Sequence, residues 1–181
     1  MTPGPRRVRV VGNSGAGKTT FALAVAQRLG VPHLELDEVF WDAGWEYRDP
    51  DEARARLAEF LAGPGAGGWA VDGNWNGRLA GMLDDADVVA WLDYPRRVVM
   101  ARVVWRTVRR GATRQELWHG NRERLGNLLR RDPEQNIVRW SWTEHHNYRA
   151  RYAALAAQDA RIVRLTTPAA AARWLAALDR T

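Results

Sequence analysis

Gly12-Asn13-Ser14-Gly15-Ala16-Gly17-Lys18-Thr19 is the stretch on which the reading of this chain turns. It matches G-x-x-x-x-G-K-[ST] at every fixed position, the pattern of a loop that cradles phosphate groups. The flanks have the right character. Arg7-Val8-Arg9-Val10-Val11 is a short β-branched run that reads as a strand. Thr19 to Leu29 carries apolar residues at helical spacing, and Gly30 and Pro32 stop it. Strand, glycine loop and helix in that order turn successive backbone N–H groups toward an anion, with the positive end of a helix behind them. Lys18 is the one lysine among 27 cationic side chains. A slim ammonium on a flexible stem suits this position, where a planar guanidinium would not. In such a loop Lys18 reaches the β- and γ-phosphates of a nucleoside triphosphate, and the Thr19 hydroxyl ligates Mg2+.

Working outward, strands and helices alternate, which predicts a three-layer α/β/α fold with a parallel sheet. The second strand is His33 to Leu36, followed by a helix over Asp51 to Leu61 and a turn over Gly63 to Gly68. Trp69-Ala70-Val71, Val88 to Leu92 and Ile162 to Leu165 complete five strands. Near-continuous apolar runs such as Val88 to Leu92 fit strands covered on both faces. Pro95 opens an arginine-rich helix to about Arg110, and Gly111 is expected to break it. Gln115 to Arg131 and Ile137 to Ala157 read as two further helices, and Pro168 starts the last, Ala169 to Leu178. The insertion at about 107–135 sits where a lid would close over a phosphate site.

The chain of 181 residues is long enough for one well-cored domain spanning 1–181, with Met1 to Pro5 as a loose tail. It has no cysteine, which excludes disulfide frameworks and thiolate metal sites. No apolar run reaches membrane-spanning length and no signal-peptide core is present, so no membrane partner and a cytoplasmic location are expected. The formal net charge of +6 suits a polyanionic partner, nucleotide or nucleic acid. Eleven of the arginines fall between Arg96 and Arg131, a run that a solvated face also explains. Groove-reading motifs are absent from the sequence.

Three aspartates follow strands directly: Asp37, Asp72 and Asp93. Strand C-termini face the ligand in this architecture. Asp72 is the choice for the carboxylate linked to Mg2+, and Asp37 for the acceptor side, as a general base. Aspartates also cap turns and helices, the alternative for each, and for Asp93 the preferred one. Among ten tryptophans, Trp69, Trp91, Trp105 and Trp174 lie in apolar patterns and are expected in the core. Trp41, Trp45 and Trp75 lie just beyond strand ends and are expected around the acceptor. His145 and His146 beside Glu144 read as a polar helix face, because adjacent helical residues point in different directions.

The chain resembles the P-loop small-molecule kinases of adenylate-kinase type, and more narrowly bacterial adenylate-kinase-like or topology modulation proteins. The segments that carry the likeness are Val11 to Thr20, Leu34-Glu35-Leu36-Asp37 with Phe40-Trp41, Val71-Asp72-Gly73-Asn74, Trp91 to Pro95 and Glu116 to Glu123. The resemblance implies a five-stranded parallel sheet ordered 2-3-1-4-5. It implies that the loop from Gly12 to Thr20 binds the nucleotide, and that Arg102 and Arg106, placed nine and thirteen residues after Asp93, meet its phosphates under the lid. Arg78 stands as a displaced counterpart of the family's acceptor-side arginine after Asp72-Gly73. Arg149 and Arg151 match its later arginine pair. Asn74-Trp75-Asn76 replaces the family's Phe-Pro-Arg, the acceptor-binding helical pair is reduced to about one helix, and the lid carries Trp118, His119 and Asn121. These departures imply an acceptor other than AMP, held near Asp37, Phe40, Trp41, Trp45, Gly73, Asn74 and Trp75. The function expected is ATP-dependent phosphoryl transfer to a small-molecule or nucleotide acceptor. The alternative is a nucleic-acid-associated or regulatory P-loop ATPase.

Overall fold

The computed structural model describes residues 4–123, 125–130, 132 and 136–178. Part of the N-terminal tail and part of the expected 107–135 insertion, Arg124, Arg131 and 133–135, lie outside the described residues.

Five strands form one parallel sheet in the order β2-β3-β1-β4-β5, as expected. They are β1 (Arg7–Gly12), β2 (His33–Glu35), β3 (Trp69–Asp72), β4 (Val88–Leu92) and β5 (Ile162–Leu165). Six α-helices are described: α1 (Lys18–Leu29), α2 (Leu36–Phe40), α3 (Pro50–Ala62), α4 (Arg96–Thr113), α5 (Ile137–Ala156) and α6 (Pro168–Ala177). β1 is the central strand, and its Val8, Val10 and Val11 are fully buried. On one face Val8, Val10 and Ala90 pack against Ala22, Val25 and Leu29 of α1 and Ala171 of α6. On the other, Trp69 and Val71 pack with Leu36, Phe40, Leu57 and Leu83, and Val11 and Trp91 pack with Tyr152 of α5. Apolar burial on both faces is what a parallel sheet requires.

Helix starts follow local chemistry. Asp49 caps α3, accepting from the N–H groups of Asp51 and Glu52, with Pro50 at the first helical position. Asn136 caps α5, accepting from Val138 and Arg139. The parallel register sets Val10 beside Asp72 and Gly12 beside Leu92, so β1, β3 and β4 end together around the Gly12–Thr19 loop.

The structure corrects several expectations. Leu36 does not extend β2; it opens α2, where its side chain is buried. Gly111 does not break α4, which runs to Thr113 and ends at Arg114 in a left-handed conformation. Gly111 is instead a close approach: a Cβ there would lie 2.5 Å from Leu125 Cδ2. The described part of Gln115 to Arg131 holds no α-helix. It holds 3-10 turns over Trp118–Gly120 and Leu125–Leu129 and an isolated bridge between Glu116 and Arg122. His119 and Gly120 both take positive φ there, which an α-helix does not allow. Trp105 is 64% exposed. The buried line of α4 is Val99, Val103 and Thr107, and a residue two positions off that line faces away. Trp69 and Trp91 are core as expected, and Trp174 is half-buried against Phe21.

Candidate phosphoryl-transfer site

The Gly12–Thr19 loop leaves β1 and wraps back over the start of α1. The Ala16 N–H donates to the Asn13 carbonyl at 3.1 Å, and the Lys18 ammonium folds onto that same oxygen at 3.4 Å. Gly15 has φ +88°, and a Cβ on it would sit 2.6 Å from the Val99 carbonyl of α4, so neither the conformation nor the space admits a side chain. Arg102 and Arg106 of α4 point back into this loop. The Arg102 Nη1 donates to the Ala16 carbonyl at 3.0 Å, and the Arg106 Nη2 to the Ser14 hydroxyl at 3.1 Å. The helix that follows Asp93 therefore brings both arginines onto the nucleotide loop.

The end of β3 lies directly under α1. The Thr19 hydroxyl donates to one Asp72 oxygen at 2.9 Å. His33 Nε2 stands 2.7 Å from the other. Asp72 is 4% exposed, so its carboxylate depends on these partners rather than on water. A hydroxyl and a carboxylate are hard oxygen donors of the kind Mg2+ takes beside substrate phosphates, so Thr19 and Asp72 fit that ion. Among the described residues no three His, Cys, Asp or Glu side chains gather into a metal cage. An ion that takes its remaining ligands from phosphates and water needs none.

Asp37, in the first turn of α2, accepts from Trp75 Nε1 at 2.8 Å. Burial pushes its carboxyl up from the ordinary range, against the opposing pull of Lys18 and of Trp75. Burial likewise pushes the Lys18 ammonium down, opposed by Asp37 and Asp72. Lys18 thus feels the charge of both carboxylates picked out in the sequence. Trp75 stacks on Phe40 with centroids 4.8 Å apart and meets Trp41 edge-on at 5.5 Å. Arg78 lies over Tyr47 at 4.3 Å and over Trp75 at 5.7 Å. Trp45 is edge-on to Trp41. Trp41, Trp45 and Trp75 therefore form one aromatic wall beside Asp37, with Tyr47 as a member the sequence reading did not name, Arg78 over it, and Phe40, fully buried, backing Trp75 from the core.

Asn74, expected beside the acceptor, bonds the first residue of the glycine loop. Its amide donates to the Gly12 carbonyl at 2.7 Å and accepts from the Gly12 N–H at 3.2 Å. Gly73, with φ +135°, turns the chain so that this clamp forms. Arg149 is placed on Asp93, Nε to Oδ1 at 2.8 Å, and Arg164 binds the same carboxylate at 2.6 Å. Arg151 is exposed. His145 is not on a solvated face: it is buried, with Nε2 3.1 Å from the Tyr94 carbonyl.

Three groups in the site were given no part by the sequence reading, and a fourth, Asn121, was named only as a residue of the lid. His33 holds Asp72. Glu35 pairs with Asp72 across the β2–β3 register, and burial first, then the Asp72 charge, push its carboxyl up to about 7. Ser141, fully buried on α5, donates to the Ser14 carbonyl at 2.9 Å and accepts from the Asn13 amide at 3.2 Å. Asn121 of the insertion is buried, accepts from the Trp45 N–H at 2.9 Å and donates to the Asp42 carbonyl at 2.8 Å. The i+2 spacing of His33 and Glu35 in a strand was a readable signal. Ser141 and Asn121 act across more than seventy residues, and no local pattern marks them.

No protein-family model matches this chain, and no curated protein matches it. Among solved structures it is similar to shikimate kinase from Bacteroides thetaiotaomicron, at 16% identity, over 94% of each chain, with a TM-score of 0.50. At that identity the likeness establishes the fold. The chain has the five-stranded P-loop kinase fold, with helices on both faces of the sheet. Among the described residues no helix is long and apolar enough to cross a membrane.

Proposed function

We propose that this protein is an ATP-dependent phosphotransferase that passes the γ-phosphoryl group to a hydroxyl of a small acceptor. The observation that carries the reading is the Thr19–Asp72 hydrogen bond of 2.9 Å beside the Lys18 loop. It sets a phosphate-binding lysine, a hydroxyl and a carboxylate around one point, the minimum that P-loop phosphoryl transfer uses. Gly12 to Thr20 hold the ATP phosphates through backbone N–H groups and Lys18. Thr19 and Asp72 are the residues that would hold Mg2+, which supplies charge neutralisation on the β- and γ-oxygens when bound. Lys18, Arg102 and Arg106 stabilise the charge that spreads over the transferring group. Asp37 takes the acceptor proton as the new oxygen–phosphorus bond forms and the bond to ADP breaks. A carboxyl pushed up by burial is a better base than an ordinary one.

The aromatic wall of Trp41, Trp45 and Trp75, with Phe40 behind it in the core, favours an acceptor with a planar or apolar face beside its hydroxyl. This suits the narrower resemblance to adenylate-kinase-like and topology modulation proteins with an acceptor other than AMP. Arg78, Arg149 and Arg151 are the arginines available for an anionic substituent of the acceptor or of ATP.

The test is a transfer screen: γ-labelled ATP and Mg2+ against nucleoside monophosphates, nucleosides, sugars and small hydroxylated metabolites. Wild type is expected to label one acceptor class, and Lys18→Ala none, at unchanged folded content. Labelled inorganic phosphate alone would make the protein a regulatory ATPase. Transfer by folded Lys18→Ala would overturn the site assignment.

A further inference from the structure

Asp72 has two carboxylate oxygens and each has one partner. Oδ2 accepts from the Thr19 hydroxyl at 2.9 Å, and Oδ1 meets His33 Nε2 at 2.7 Å. His33 sits at the start of β2, with Glu35 as the register partner of Asp72, so His33 lies two residues before that row. Residues two apart in a strand share a face. Asp72 is beside Val10 in register, and Val10 packs with α1, so the His33 ring and the Asp72 carboxylate share the α1 face where Thr19 begins. The ring reaches along the strand to the carboxylate from the side opposite Thr19.

We infer that His33 is a positioning residue: it fixes the roll of the Asp72 carboxylate, and through it the direction in which the Thr19 hydroxyl presents its lone pairs to a divalent cation. The inference rests on the proposed function. The terminal torsion of an aspartate is broad, so one hydrogen bond to a freely rotating hydroxyl leaves the carboxylate free to swing. A second bond from the opposite side removes that freedom. With the roll fixed, the Thr19 proton is committed to Asp72 Oδ2, and the lone pairs of Thr19 Oγ1 are left for the metal. Groups that hold a metal's ligands in orientation typically change metal affinity by 10–100-fold when removed.

A residue that merely satisfies a buried carboxylate would lower stability and leave metal binding alone, so the two roles separate in one experiment. ADP binding is measured by calorimetry with and without Mg2+ on wild type, His33→Ala and His33→Gln, each checked for folded content by circular dichroism. Gln can place an N–H donor near the His33 Nε2 position without carrying charge. Wild type is expected to bind ADP more tightly with Mg2+. His33→Ala is expected to lose about tenfold of that gain while its Mg2+-free ADP affinity stays put, and His33→Gln to recover most of the loss. An unchanged Mg2+ gain in folded His33→Ala overturns the inference. So does an equal loss with and without Mg2+, which would make His33 a general support of the loop. A Gln variant as impaired as Ala also overturns it, because donor position would then not be what matters. Wild type that binds ADP with no Mg2+ gain defeats the Thr19–Asp72 metal reading. Wild type that binds no ADP defeats the proposed function itself, so failures at the three levels are distinct.

Discussion

Replacing Asn74 by alanine separates two roles that position alone would leave confounded. Asn74 follows β3, and both ends of its amide bond the Gly12 backbone, at 2.7 Å and 3.2 Å. That pair acts as an extra rung between the β3 exit and the first residue of the nucleotide loop. A net hydrogen bond contributes about 1 kcal/mol, so losing both should make Asn74→Ala cost about 2 kcal/mol. For a domain of this size each 1 kcal/mol moves the melting temperature by roughly 2–4 °C, so a fall of roughly 4–8 °C is expected by calorimetric melting. Gly12 opens the phosphate loop, so ADP affinity should weaken a few-fold while the acceptor KM holds. Asn74→Asp is the sharper variant. It keeps the acceptor for the Gly12 N–H but sets a carboxylate against the Gly12 carbonyl, and should be at least as damaging as alanine. An acceptor KM raised tenfold, with melting and ADP affinity unmoved, would refute the reasoning and return Asn74 to the acceptor pocket.

Asn121→Ala removes both of its side-chain bonds to the 42–45 loop. The acceptor KM should rise several-fold with ADP affinity unchanged, checked by steady-state kinetics on the acceptor that the screen identifies. Glu35 supplies a pH signature. Its folded pKa of about 7 lies above its ordinary value of 4.5, so the native state binds the extra proton between the two, and stability falls as pH rises through that window. Glu35→Gln should match wild type in urea melts near pH 4.5 and exceed it by on the order of 1–3 kcal/mol at pH 8; a difference that stays flat with pH would count against the burial argument.

The strand, glycine loop and first helix were legible because their determinants are local: β1, the loop and α1 form one contiguous stretch whose motif fixes its conformation. Asp72 was legible because a parallel sheet brings strand ends together, and Thr19 then meets it at hydrogen-bond distance. The insertion was not legible. Residues after Gln115 have helix-compatible composition, but His119 bonds to the Glu38 carbonyl and lies against Arg48, and Asn121 grips the 42–45 loop. Those long-range bonds, with positive φ at His119 and Gly120, outweigh a weak local helical preference. Trp105 and His145 failed in opposite senses for one reason. Apolar or polar character says which residues prefer burial, and only the packing of α4 against α5 says which line of each helix receives it.

The placement of α5 explains how an arginine can be bound to a carboxylate and still be available. Ser141, His145 and Arg149 recur every four residues and so share one face. That face meets Ser14 and Asn13 of the nucleotide loop, then the Tyr94 carbonyl, then Asp93. α5 thus ties the end of β1 to the end of β4. An arginine that is the sole partner of a buried carboxylate cannot leave without stranding a charge. Asp93 is 4% exposed, but it holds two arginines, Arg149 at 2.8 Å and Arg164 at 2.6 Å. If Arg149 turns toward a phosphate, Arg164 still neutralises Asp93, so the cost is one shared hydrogen-bonding partner rather than an unpaired buried ion. Arg164, on β5, thus gives Asp93 a second cationic partner, so the carboxylate stays paired if Arg149 leaves it, and nothing in the local sequence marked Arg164 as that partner.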